Sequence, residues 1–80
     1  MKSLRKTVNA VIFPDDPPWF VAECQGINVV TQGKSLDEVV ANLKEAVALF
    51  FEGEDAEEFG YVENPSIVIT YVIEEELAPA

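Results

Sequence analysis

The residue order predicts an α+β domain of β-β-β-α-β sequence, with one helix laid across a single face of a mostly antiparallel sheet. Three observations carry that expectation. Period-two runs recur at 4–13, 18–24 and 27–33. One stripe of helical period lies at 36–52. A β-branched run, SIVITYVI, follows at 66–73.

The first run, LRKTVNAVIF, places Lys6, Val8, Ala10 and Ile12 on one face, as a strand would. PDDPP at 14–18 ends it, because three prolines cannot continue a hydrogen-bonded ladder and instead form a stiff loop. The second strand sets Phe20, Ala22 and Cys24 on one face and Trp19, Val21 and Glu23 on the other. Gln25-Gly26 is a short connection suited to a hairpin. The third strand alternates Ile27, Val29 and Thr31 with Asn28, Val30 and Gln32, and Gly33 ends it.

The helix is marked at both ends. Ser35 suits the N-cap, and Glu38 three residues later completes a capping box. Asp37 and Glu38 sit at the positive end of the helix dipole. Leu36, Val39, Val40, Leu43, Ala46, Val47 and Phe50 form one apolar stripe, which needs a sheet face to cover. Gly53 suits a C-terminal cap. Residues 54–65 read as an acidic loop, with Phe59 and Tyr61 available to pin it to the core. The last strand is apolar on both faces, which predicts that it is central in the sheet or covered by another chain. Glu74-Glu75-Glu76 and LAPA read as a charged end and a frayed tail.

Eighty residues predict one domain over 1–80. A core of that size covers a modest share of its surface, which favours self-association. Net charge is −10, and from Glu45 onward every charged side chain is acidic. Such a surface disfavours nucleic acid and anionic membranes, which require clustered cations. It favours a basic protein partner. No apolar run approaches a membrane span of about 20 residues. MKSLRK lacks the long apolar segment of a signal peptide. The lone Cys24 cannot form an intrachain disulfide, which fits a reducing cytoplasm, the expected compartment.

Catalytic chemistry finds little to stand on. The chain has no histidine, the commonest general base and metal ligand. Alternation places Cys24 beside Phe20 and Ala22, as a small core hydrophobe. The run Glu54-Asp55-Ala56-Glu57-Glu58 lacks the ligand spacing and central glycine of a calcium loop, and Asp15-Asp16 reads as a polar turn. No enzyme activity, cofactor, metal site or catalytic residue is expected. Trp19 has two readings, an edge-of-core side chain or a binding anchor.

The segment FVAECQGINVVTQGKSLDEVVANLKEAVALFFE resembles the N-terminal domain of HicB-type antitoxins. The matching pieces are Phe20-Val21-Ala22-Glu23, Gln25-Gly26, Thr31-Gln32-Gly33, Ser35-Leu36-Asp37-Glu38 and Asn42-Leu43-Lys44-Glu45-Ala46. The resemblance implies a partial RNase H-like fold. It also implies a small, basic HicA-like partner, an mRNA-cleaving toxin neutralised by protein contact. Many members carry a C-terminal DNA-binding segment; no counterpart is visible after the last strand, so direct operator binding is not expected.

The residues expected to meet the partner are Trp19, the helix acids Asp37, Glu38 and Glu45, and the acids Glu54, Asp55, Glu57 and Glu58 that follow the helix. A homo-oligomer is also expected, because one helix can cover only one sheet face. Two alternatives stand beside the antitoxin reading. One is an orphan regulatory or structural homo-oligomer. The other is a metal-dependent RNase H-like hydrolase, which would need carboxylates clustered at strand ends, where Glu23 stands alone.

Overall fold

Alternation sorts the first strand by face: Val8, Ala10 and Ile12 are buried and Asn9 is exposed, while Lys6, expected on the buried face, is exposed at the irregular start of the strand. The structure, a computed structural model, describes residues 3–73. The elements are β1 (Arg5–Pro14), β2 (Phe20–Gln25), β3 (Val30–Gly33), α1 (Leu36–Phe51), a 3-10 turn (Ala56–Phe59) and β4 (Tyr61–Tyr71). The expected end at Glu74-Glu75-Glu76 and the LAPA tail lie outside the described residues.

The fold is α+β, with one helix packed on a four-stranded mixed sheet of order β3-β2-β1-β4. β1 with β2 and β2 with β3 are antiparallel, and β1 with β4 is parallel. The loop between β1 and β2 closes through Asp15 N–H to Trp19 O and Trp19 N–H to Asp16 O.

The helix begins as its capping signal predicts. Ser35 accepts from the Glu38 N–H at 3.0 Å. The helix ends at Phe51 with Glu52 as its C-cap, and Gly53 follows with φ +72°. Val39, Leu43 and Val47 are buried against Val8, Ala10, Ile12 and Ala22, and Val40, Ala46 and Phe50 pack around them. Leu36 departs from the expected stripe at 39% exposure. It lies in the first turn, before the helix comes down onto the sheet at Val39. α1 packs mainly on β3 and β2, and Asn42 Nδ2 donates to Gln32 O at 2.8 Å to fix it there.

β2 runs over Phe20–Gln25 rather than 18–24 and β4 ends at Tyr71 rather than 73, and larger departures lie at β3, the acidic stretch and the start of β4. β3 starts at Val30 rather than residue 27, because a wider loop opens at Gly26, with φ +88°. Ile27 and Val29 are buried from that loop, and the Cys24 N–H donates to Val29 O at 2.9 Å. The acidic stretch expected to be a loop contains the 3-10 turn at its centre. β4 then starts at Tyr61 rather than residue 66. Tyr61 pairs with Arg5 and Ser66 with Thr7, so β4 advances five residues while β1 advances two. The excess is taken up in a bulge containing Asn64, with φ +54°. Tyr61 is buried as expected, whereas Phe59 is 42% exposed and contributes through a tilted ring contact with Phe50 and an edge-on one with Phe51.

The last strand is not central. β4 is an edge strand beside β1 only; Ile67 and Ile69 are half-buried against the core, whereas Val68 and Val72 on the other face are exposed.

Candidate functional site: an acidic, apolar-floored groove

Because α1 lies towards the β3 side of the sheet, its C-terminal half and the start of β4 face each other across an open groove. The groove has a volume of about 560 Å³. Val47, Ala48, Leu49 and Phe51 line the helix wall, and Asn64, Pro65 and Ile67 line the β4 wall. Leu49 is 60% exposed, an aliphatic side chain held at the groove without being buried. Lys44, Glu45 and Glu52 also line it. A second, smaller cleft adjoins at Phe51 and Asn64, lined by Glu54, Asp55, Glu57 and Glu63.

Carboxylates outnumber the single lining cation, Lys44, at this end. A helix C-terminus carries about half a negative charge from its aligned peptides. Lysine or arginine in the last turn usually offsets it, and α1 has no basic residue there. Carboxylates crowd the same end instead. The 3-10 turn is capped by Asp55, whose Oδ1 accepts from Glu57 N–H at 3.0 Å.

The expected partner residues divide into two groups. Glu45, Glu54, Asp55 and Glu57 come together around the two clefts. Glu58 is exposed on the same 3-10 turn without lining either cleft. Asp37 and Glu38 are exposed in the first helical turn, about 22 Å from Glu52 by the helical rise. Trp19 lies away from the groove. It is half-buried beside Lys34, whose Nζ sits 5.3 Å from the ring centroid.

Leu49, Glu52, Glu63 and Ile67 were not among the expected residues. The sequence does place Leu49 outside the apolar stripe, and an exposed leucine there is its only signal. Glu63 and Ile67 reach the site through the bulged start of β4, which pattern alone does not reveal.

Among the described residues, no group of three or more His, Cys, Asp and Glu side chains could hold a metal ion. Burial pushes the Cys24 thiol above its ordinary range, which favours the unreactive thiol over the thiolate. No helix in the described residues is long and apolar enough to cross a membrane.

The architecture and groove define a class: small, single-helix α+β modules with an acidic, apolar-floored cleft. Over 62 residues the chain is 34% identical to a UPF0150 protein of Helicobacter pylori, covering 78% of this chain and 86% of that protein. The chain belongs to the UPF0150 family. No protein-family model and no solved structure matches it.

Proposed function

We propose that this protein is a HicB-like antitoxin-type module, which binds and neutralises a small basic HicA-like toxin by protein contact. The observation that carries the reading is the groove between α1 and β4, apolar in its walls and rimmed by carboxylates at the negative end of a helix dipole. An apolar side chain of the partner enters beside Leu49 and Ile67. Lysines and arginines around that anchor meet Glu45, Glu52, Glu54 and Asp55. Carboxylates at this helix end cost stability, so their concentration there suits a ligand that supplies the missing cations. The HicB-type resemblance of residues 20–52 supplies the kind of partner.

On this reading the chain acts by occupying a surface of the toxin, in a reducing cytoplasm, and contributes no catalytic group. The test is co-expression with the protein encoded by the neighbouring reading frame, alongside purified chain incubated with RNA. Rescue of growth, a co-purifying complex and intact RNA with or without magnesium are expected. A folded protein that neither rescues nor forms the complex overturns the antitoxin reading, and magnesium-dependent RNA cleavage replaces it with the hydrolase.

A further inference from the structure

We propose that the open edge of β4 pairs with β4 of a second copy, antiparallel and two-fold symmetric about Thr70. Exposed edges offer unpaired N–H and C=O groups, and folded proteins usually blunt them with charges, prolines or bulges. In β4 those devices are confined to its first part: Glu63, the bulged Asn64 and Pro65. From Ser66 to Ile73 the edge carries no charge and no proline, in a chain of net charge −10. The other edge, β3, is four residues long and lies under α1.

The uncharged edge is self-complementary. Val72 N–H donates to Ile12 O at 2.8 Å, so strand alternation turns the even-numbered amides of β4 towards β1. Ile67, Ile69 and Tyr71 therefore present theirs to the open side. A two-fold axis at Thr70 sets Ile69 opposite Tyr71 of the second copy and Ile67 opposite its Ile73, with these open groups facing one another. Val68 then meets Val72, and Thr70 meets Thr70, on the sheet face away from the helix. On either side of the central Thr70 pair, apolar residues meet apolar ones. Moving the axis to Ile69 would instead set Thr70 against Val68 and Ser66 against Val72, so side-chain matching selects the Thr70 register.

The pairing covers side chains that the single copy leaves exposed: Val68 at 46%, Val72 at 39% and Ile73 at 68%. It also brings Ile73 of the second copy next to Ile67, on the helix side of the sheet, and so extends the floor of the groove. The remaining acids of the two copies repel, so added salt tightens this association, opposite to its effect on a basic partner.

Light scattering at high micromolar concentration tests the proposal. Wild type should show twice the 8.8 kDa of one chain. Thr70 is exposed on the outer face, so Thr70→Lys should return the mass to one chain with an unchanged circular dichroism spectrum, because it sets two cations across the axis. In a Cys24→Ala background, Thr70→Cys should oxidise to a covalent dimer, since directly opposed residues of this pair type lie about 4.5 Å apart at Cα. A wild-type mass of one chain overturns the proposal. So does a dimer in which the Thr70→Cys thiol stays reduced under oxidant.

Discussion

Gly33 and Val39 lie so close that a Cβ built on Gly33 would come within 2.5 Å of the Val39 backbone nitrogen. This contact sets the height of α1 above β3. Gly33→Ala should therefore lift the helix or strain the strand, at a cost of about 1–3 kcal/mol for overpacking. The urea midpoint should fall while the slope stays constant. An unchanged midpoint would refute the close approach.

The core should be least tolerant at Leu43 and Tyr61, which are 0% and 1% exposed. Leu43→Asp should unfold the domain, because an unpaired carboxylate cannot be buried there without a large desolvation cost. Near-UV circular dichroism should lose its native signal. Tyr61 packs its ring 5.6 Å from that of Phe51, with the Arg5 guanidinium 5.9 Å from its centre. Its truncation to Ala should cost about 3–5 kcal/mol, as for other large core aromatics, read from denaturant unfolding.

Glu52→Lys should act with opposite signs on stability and on binding. A cation at the end of α1 complements the dipole and should add about 0.3–1 kcal/mol. The same change removes a carboxylate from the groove rim, so association with the basic partner should slow, most visibly at low salt. Thermal melts and stopped-flow association on one protein give both numbers. Faster association would contradict the proposed rim.

Leu49 and Trp19 separate the two ends of the helix as binding sites. Leu49→Ala should leave the fold intact, since the side chain is largely exposed. It should weaken the complex with the neighbouring-frame protein by about 2 kcal/mol, roughly 30-fold in Kd, if it is a central anchor. Trp19→Ala, remote from the groove, should weaken it less. The reverse order in calorimetry would move the binding face to the first helical turn.

Cys24 gives a pH test. Burial raises its folded-state pKa, so the folded state holds its proton more tightly than the unfolded state does. Its contribution is fully present below the unfolded thiol value of about 8.5. It declines as pH rises from that value through the raised folded one. Unfolding free energies of wild type and Cys24→Ala, compared from pH 7 to 10, should converge over that window. A constant difference would show that the thiol is not desolvated.

The parts of the fold legible in the sequence are those written in local chemistry. Ser35 with Glu38 declared the start of α1, and the spacing of Val39, Leu43 and Val47 declared the face it buries. The β4 boundary was hidden because Gly60 and Asn64-Pro65 punctuate the chain as a loop would. Pairing with β1 overrides that signal, and the edge position tolerates both the bulge and the proline. The candidate site was half legible for a related reason. Acid composition pointed to Glu45, Glu54, Asp55 and Glu57, but only the tertiary position of β4 brings Glu63 and Ile67 beside them. Trp19 stands out by residue type alone, and its place beside Lys34 depends on where the β1–β2 loop meets the sheet end.

The parallel pairing of β1 with β4 also bears on how the chain reaches its folded state. β1 is the first of the described elements to be synthesised and β4 the last, yet Val8 and Ile67 are register partners. During translation β1 can zip onto β2, but its other side waits until β4 has emerged. Contacts so distant in sequence slow the search for the native arrangement. In the interval the apolar edge of a half-built sheet is open to any other nascent chain nearby. Until β4 docks, that edge is an aggregation hazard which the finished fold no longer shows at β1.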